Sequence, residues 1–379
     1  MVTKKEIRQF LIQHFALDQL NSLGSGKMGI LSYIERVKCL QEDPLDICGN
    51  NVEIILKSRF SGCVSLWLDE LLYADSQLVE GMDKEAAIYP MKDWSNFASV
   101  RERTAEGNIA SLCYRGQEAA LEKLGEVKKI LLNSDIPISS STLEMGKLGK
   151  SRWGSSNLAT ILLYQLWCQG DAIIAKRQGR RKFYRSTETF EHPIKFDTEK
   201  DFAKWRILRR LSGLGIYWQK NGAGWQGDFL NERKLIFDEL VKSGEIVKIE
   251  LEDLTEPLYL TSENFQKLCS QKPKKLNKLS FIAPLDNLIW DRAFVKAIFD
   301  FEYVWEVYKS VRQRVYGYYV LPILYGDKFI GRIEPSREKA RENKLEIAKI
   351  WFEKPEFDCS KIHKKIAAEL ERFNENGKI

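Results

Sequence analysis

Apolar residues recur at helical spacing near the N-terminus, where Ile7, Phe10, Leu11 and Phe15 predict a helix over Lys4–Phe15. Further helices are expected near 30–38 and 65–73, with the glycine-rich loop Gly24-Ser-Gly-Lys27 ahead of the first of these. Leu121, Leu124, Val127 and Leu131 trace another helix face before the turn-rich run Asp135-Ile-Pro-Ile-Ser-Ser-Ser, and residues 201–214 form one more. An internal echo then appears when LYQLWCQGDAIIAK (163–176) is laid over FDELVKSGEIVKIE (237–250). Leu166 falls on Leu240, Gly170 on Gly244, Asp171 on Glu245 and Ile173 on Val247. In each copy a helical pattern stops at a glycine suited to a left-handed cap, and an alternating strand follows an acidic residue.

Helix, glycine, then strand is the second half of a winged helix. The fold class expected is α+β: three tandem winged-helix units followed by a small C-terminal β-barrel with a terminal helix. The boundaries expected are 1–100, 101–190 and 191–270 for the three units, and 271–379 for a lysine-rich linker, the barrel and the helix. The barrel strands are read from GYYVLPIL (317–324), from FIGRI (329–333) after the turn Tyr325-Gly-Asp, and from Leu345, Ile347 and Trp351. Ile362, Ile366, Leu370 and Phe373 line one face of the closing helix.

With 379 residues, 44% of them hydrophobic, the chain has material for two to four domains at roughly 100–200 residues each. No stretch approaches the ~18 uninterrupted apolar residues of a membrane span, and the N-terminus lacks a secretory core. A cytoplasmic, nucleoid-associated protein is expected. Seven cysteines without a C-x-x-C pair argue against a disulfide framework or a zinc knuckle, and three scattered histidines offer little for a metal site or a triad. The net charge of +6 is small for this length. Its distribution is more informative: six of the ten residues Lys176–Arg185 are basic, Lys204–Arg210 adds four, and Lys272, Lys274, Lys275 and Lys278 add four more.

Gly24-Ser-Gly-Lys27 is not a phosphate loop, because Asn21 stands where the motif needs its first glycine and Met28 where it needs a hydroxyl. The basic run has a sharper implication. If Ile173–Arg177 and Arg181–Arg185 pair across a turn at Gln178-Gly179, Lys176 and Arg177 face Arg180 and Arg181. Opposed like charges destabilise a hairpin, and an anionic partner such as nucleic-acid phosphate removes that cost. A solvated wing without a ligand is the bland alternative. In Cys39-Leu-Gln-Glu-Asp-Pro-Leu-Asp46, Pro44 favours an extended Asp43, so Gln41 and Asp43 should share one side and Glu42 the other. An amide and a carboxylate so placed could orient and deprotonate a water. The same residues also fit a plain turn with a helix N-cap.

The stretches VKCLQEDPLDICGNNVEIILKSR (37–59), WLDELLYAD (67–75) and EAAIYPMKDW (85–94) resemble the YcaQ/AlkZ-type bacterial DNA glycosylases that unhook interstrand crosslinks. The likeness continues in LWCQGD (166–171), APLDNLIWDR (283–292) and YGYYVLPIL (316–324), in family order. The resemblance implies three winged helices and a β-barrel around a basic DNA-binding surface, with Gln41 and Asp43 as the catalytic pair of the Gln-x-Asp branch. It implies that the wing at 171–185 probes DNA near the lesion. Together with Asn50 and Arg59 from the first block, Lys176, Arg177, Arg180, Arg181, Lys182 and Arg185 form the expected DNA-contact set. Two departures stand out. Lys84 replaces a histidine expected before Glu85, and Ser186-Thr-Glu-Thr replaces Leu-Pro-Glu-Arg after the wing.

N7 alkylation leaves a purine cationic, so its departure needs little acid help, whereas the oxocarbenium-like sugar and the attacking water need stabilising. The implied activity is a monofunctional glycosylase that excises N7-alkylated purines from double-stranded DNA and leaves an abasic site, with crosslink unhooking as an extension. It needs no cofactor, metal or membrane, and a monomer is expected. A non-catalytic winged-helix transcriptional regulator and a protein-interaction scaffold are the rivals. A regulator has no use for the Gln-x-Asp strand.

Overall fold

A computed structural model describes residues 2–146, 157–188, 190, 196–225, 229–272, 274–336 and 345–375. The chain begins with α1 (Lys4–His14), α2 (Gly26–Val37), the short strand β1 (Leu40–Gln41), α3 (Asn51–Lys57) and α4 (Val64–Asp69), which widens into a π turn over Glu70–Ala74. The hairpin β2 (Leu78–Asp83) and β3 (Glu85–Pro90) follows, then α5 (Ala98–Tyr114), α6 (Leu124–Leu132), β4 (Ile138–Ser139), α7 (Leu158–Gln169), β5 (Ala172–Gln178) and β6 (Arg181–Ser186). Next come α8 (Glu199–Leu214), β7 (Tyr217–Trp218), α9 (Arg233–Ser243), β8 (Ile246–Leu251), β9 (Leu254–Thr261) and α10 (Ser262–Ser270). The chain closes with β10 (Leu279–Phe281), α11 (Arg292–Phe299), β11 (Leu321–Tyr325), β12 (Lys328–Pro335), β13 (Ile347–Phe352) and α12 (Ser360–Glu375). The described residues thus form a mixed α/β structure of twelve α-helices and small antiparallel sheets. None of these helices is long and apolar enough to cross a membrane.

Two compact units divide the chain, one made of Met1–Leu68 with Thr198–Ile379 and the other of Asp69–Asp197. In the second unit a sheet of order β4-β6-β5 lies on a core that includes Val127, Leu131, Leu162, Leu166 and Tyr184. In the first unit the corresponding sheet has the order β7-β9-β8. The sequence echo is reproduced bond for bond. Gly170 (φ 87°) and Gly244 (φ 79°) both take the left-handed conformation. Asp171 N–H donates to Leu166 O at 2.9 Å and Glu245 N–H to Leu240 O at 3.0 Å, the six-to-one bond that closes a Schellman motif. Thr187 and Ser262 then return their hydroxyls to the Gly170 and Gly244 carbonyls. A side chain at either glycine would carry the left-handed strain, so the stop after each helix is set by backbone chemistry.

The C-terminal strands do not close. β10-β11-β12-β13 form an open four-stranded antiparallel sheet in place of the expected barrel. Four strands, one only three residues long, are too few to curl edge onto edge, and the bulges at Ile323/Leu324 and Glu334/Pro335 bend the sheet locally. α12 brings Phe373 to within 6.4 Å of Phe281, ring to ring. Ile362, Ile366 and Phe373 are buried as expected, while Leu370 is half-buried.

Among the elements that escaped the sequence reading are α5 and the β2–β3 hairpin. α5 buries only Arg101, Ala105 and Leu112 along seventeen residues, so it shows no apolar stripe. The β2–β3 hairpin is punctuated by Gly81 and a turn at Lys84-Glu85, which hide its alternation.

His14, at the end of α1, is buried with its Nε2 2.9 Å from the Gly213 carbonyl, so Nε2 carries the proton. Burial pulls its pKa down to about 4 from 6.5. The unfolded chain takes up this proton first, so stability is expected to be full above pH 6.5 and to fall toward pH 4, by on the order of 3 kcal/mol. His14→Gln keeps a donor for Gly213 and removes the titration. Urea denaturation across this window should therefore show a shallower acid slope in the variant.

Candidate functional site

The segment that carries Gln41 and Asp43 is held by its backbone. Lys38 ends α2 at φ 72°, and Gly213 lets α8 approach so closely that a β-carbon there would stand 2.5 Å from the Val37 carbonyl oxygen. Arg209 Nη2 donates to Lys38 O at 2.7 Å, Asn287 Nδ2 to Cys39 O at 2.9 Å, and Asn51 Nδ2 to Gln41 O at 2.9 Å. Three carbonyls within four residues are therefore clamped from three different parts of the same unit. Asn51 Oδ1 also accepts from Leu285 N–H at 3.2 Å, which ties α3 to the Ala283–Arg292 block.

Beyond β1 the chain proceeds by side-chain-capped turns. Asp43 Oδ1 accepts from Leu45 N–H at 2.8 Å, Asp46 Oδ1 from Gly49 N–H at 3.2 Å, and Asn50 Oδ1 from Glu53 N–H at 2.8 Å as the N-cap of α3. The turn-with-cap reading of this stretch is thus present alongside the Gln-x-Asp pair. Gln41 is buried, and Glu42 and Asp43 are half-buried. Burial raises the Asp43 carboxyl above the ordinary aspartate value, and the Leu45 amide opposes this. The Tyr319 hydroxyl is pushed well up by burial, with Cys48, Tyr303, Asp43 and Asp46 adding to the shift. Burial also pushes the Cys48 thiol up to about 12, so it is no nucleophile at neutral pH. Chemically, the segment offers a fixed amide and a carboxyl made more basic than usual.

One expected DNA contact, Arg59, lies inside the protein, and so do several cations of the other basic clusters. Arg59 is 0% exposed: it donates to both oxygens of Asp286 (2.6 and 3.0 Å), and to Phe15 O, Ile55 O and Ser58 Oγ. Every nitrogen is engaged within the fold, so Arg59 cannot meet a phosphate. Asn50 spends its carbonyl on the α3 cap. In the Lys204–Arg210 cluster, Arg206, Arg209 and Arg210 are buried, with Arg210 over the Trp290 ring at 5.3 Å, and Lys204 pairs with Glu239 at 3.1 Å. In the linker cluster Lys274 pairs with Asp18, and Lys278 reaches Ser58 O and Ser280 Oγ; burial draws the Lys278 pKa down to about 7. Arg59, Arg209 and Lys278 supply donors to carbonyls that would otherwise be buried unpaired.

The wing, within its own unit, is a surface. Gln178 pairs with Arg181, so the two-residue turn is Gly179-Arg180, one position later than expected, with Gly179 at φ 57°. Register shifts at Ala175 as well. As a result Arg177 opposes Lys182, and Lys176 opposes Phe183. The opposed Arg177 and Lys182 face inward. Arg177 holds the buried Glu80 carboxylate through Nε (2.9 and 3.1 Å) and Nη2, Tyr73 OH donates to the same carboxylate at 2.7 Å, and Lys182 lies over the Trp167 ring at 5.4 Å. Glu80 is the internal anion that this charge pair needs. Lys176, Arg180, Arg181 and Arg185 are exposed. Lys84 is buried beside the β2–β3 turn. Of Ser186-Thr-Glu-Thr, Thr189 lies outside the described residues.

Sequence reasoning missed Asn51, Asn287, Arg209 and Glu80. The first two sit in blocks it quoted, but nothing in their spacing shows that each reaches a carbonyl hundreds of residues away in Asn287's case and ten in Asn51's.

With this geometry in place, a family model described as "DNA glycosylase AlkZ-like" matches residues 34–376. The chain belongs to the AlkZ-like DNA glycosylase family. It is also similar in fold to the Streptomyces sahachiroi DNA glycosylase AlkZ, with a TM-score of 0.59 at 12% identity, over 100% of this chain and 98% of that one.

Removing one member of a buried ion pair strands the other, at a cost of about 3–5 kcal/mol. Arg59→Met is therefore expected to lose that much stability in urea denaturation, and Arg59→Met with Asp286→Leu to recover most of it.

Proposed function

We propose that this protein is a monofunctional DNA glycosylase that excises N7-alkylated purines, including bases tethered in interstrand crosslinks, and leaves an abasic site. The observation that carries the reading is the clamping of Lys38, Cys39 and Gln41 through their carbonyls, which presents Gln41 and Asp43 on a rigid backbone. Asp43 stabilises the developing positive sugar and takes the proton of the attacking water; its raised pKa makes it the better base. Gln41 orients that water. A cationic purine leaves as a neutral base, so no second acid is required.

The DNA is held by charge and shape. The exposed arginines and lysine of the wing meet phosphates, while Arg177 and Lys182 brace the hairpin from beneath. The matching Gly170 and Gly244 caps support tandem winged-helix units at 101–190 and 191–270, with a more divergent one at 1–100 and the open sheet and α12 within 271–379. A regulator would leave the three-carbonyl clamp without a purpose.

Asp43→Asn keeps the Leu45 acceptor and removes the charge. It is expected to slow release of N7-methylguanine from duplex DNA by on the order of a hundredfold or more at unchanged DNA affinity, measured by alkaline cleavage of abasic sites. Because burial disfavours the carboxylate, the same variant should melt no lower than the parent at neutral pH. Gln41→Ala should cost less activity than Asp43→Asn, and Glu42→Gln almost none. Loss with Glu42→Gln but not with Asp43→Asn would refute this assignment.

Binding to undamaged duplex should weaken steeply with salt. Arg180→Ala with Arg181→Ala should lower the slope of log K against log salt by up to roughly two, and an unchanged slope would take the wing off the DNA.

A further inference from the structure

Within eight residues of the first unit, three large apolar side chains stand out in water: Tyr308 is 86% exposed, Val311 77% and Val315 70%. An ordinary loop would fold such residues back onto the protein or dispense with them, since a cluster of exposed apolar surface marks a contact surface. This loop is held open. The Glu306 carboxylate, itself buried, accepts from the amides of Val315 (3.0 and 3.1 Å), Tyr316 (2.8 Å) and Gly317 (3.2 Å), and from Lys309 Nζ at 2.9 Å. Burial alone would raise this carboxyl, but the bonds from Lys309, Tyr316, Val315 and Gly317 outweigh it and bring its pKa down to about 2. Ser310 and Gln313 close a reciprocal cap in the middle of the loop, Arg314 Nε donates to Lys309 O at 2.9 Å, and its guanidinium lies over Tyr318 at 4.8 Å. At the base, Tyr318 N–H donates to Glu334 at 2.9 Å. The backbone is thus fixed at every turn, and Tyr308, Val311 and Val315 face outward together with Ser310, Arg312 and Gln313.

Along the loop itself, one buried and paired carboxylate aside, the charge has one sign. Glu306 is the sole acidic residue from Val304 to Gly317, it is only 2% exposed, and Lys309 neutralises it. Among the described residues no carboxylate pairs with Arg312 or Arg314, which flank Val311 and Val315 along the chain. A protein partner's apolar groove would not ask for this arginine rim, whereas a duplex offers stacked apolar bases bordered by phosphates. The loop is also connected to the catalytic segment. Its root, Trp305, stands 5.9 Å from the Tyr308 ring and 6.4 Å from the ring of Tyr319, and the charge of Asp43 is felt at the Tyr319 hydroxyl.

We propose that the loop Trp305–Val315 is a second DNA-contact element, in which Tyr308 and Val311 press against the bases at the damaged step while Arg312 and Arg314 meet the flanking phosphates. The choice of DNA as partner rests on the glycosylase reading. Apolar wedges bordered by arginine are how proteins hold a base step partly unstacked, and a site that has lost or loosened a base is the easiest to enter. The loop would accordingly favour damaged over intact duplex, without reading sequence.

The test uses the full-length protein and two fluorescently labelled duplexes, one intact and one carrying a tetrahydrofuran abasic analogue, titrated from low to moderate salt. Tyr308→Ala with Val311→Ser is expected to bind the abasic duplex roughly 5- to 100-fold more weakly, the range for losing one stacked aromatic, and to bind intact duplex nearly as before. Tyr308→Phe keeps the ring and should retain the preference. Arg312→Gln should lower the salt slope by about one on both duplexes. Since all three positions are exposed, circular dichroism should be unchanged. If the Tyr308/Val311 variant keeps the parent's preference and Arg312→Gln keeps its slope, the loop does not touch DNA, as would be found for a protein-docking loop, and the proposal fails. The assay requires no excision. A parent that fails to release N7-methylguanine yet shows these losses would overturn the catalytic reading and keep the loop; a parent that excises while the variants bind normally would do the reverse.

Discussion

A buried ion pair sits where several segments of the first unit meet. Arg59 and Asp286 are both wholly inaccessible and joined by two hydrogen bonds. Such a pair contributes little net stability against an apolar alternative, because two charges must be stripped of water. What it sets is register. Arg59 gathers the end of α1 through Phe15 O and the end of α3 through Ile55 O, and Asn21 donates to the carbonyl of Arg59 itself at 2.9 Å. Asp286 caps the short turn that follows it by accepting from Leu288 N–H. That turn holds Asn287 where it can reach Cys39, and Leu285 where it can reach Asn51.

The position of Gln41 and Asp43 therefore follows from a pair of charges that contacts neither of them. A two-residue strand has almost no ladder of its own with which to resist displacement. The Gln41 carbonyl is instead bonded by a side chain from α3, and those of Lys38 and Cys39 just before the strand by side chains from α8 and the turn before α11. Side-chain donors are directional, and three of them leave the backbone little freedom to slide. The same economy explains the inward arginines of α8. Carbonyls at the end of α2 lack helical partners, and a planar guanidinium can satisfy them while stacking on an aromatic ring.

In the second unit an internal anion performs the corresponding task. Glu80 lies under the wing and draws Arg177 out of the solvent, which turns a repelling cross-strand pair into a braced one. The bulge at Ala175 divides the basic residues between the two faces. Lys176, Arg181 and Arg185 remain outside, while Arg177 pairs with Glu80 and Lys182 lies over Trp167.

Local chemistry was legible from the residues alone. The helical periods of α1, α8 and α12 and the left-handed glycines 170 and 244 with their acidic successors all depend on interactions within a few residues, which spacing records. Tertiary structure alone decided which cations face water. Arg59, Arg209 and Arg210 read as the same basic chemistry as Arg180 and Arg181, and only the carboxylate, carbonyl, thiol and ring brought to them from distant segments turn them inward. It also decided that the C-terminal sheet stays open, since closure depends on how strand length, tilt and bulges combine, and alternation along one strand carries none of these. Sequence pattern reports what a side chain prefers. Its partner at a separation of two hundred residues is fixed only when the chain has folded and every buried donor and acceptor has to be matched at once.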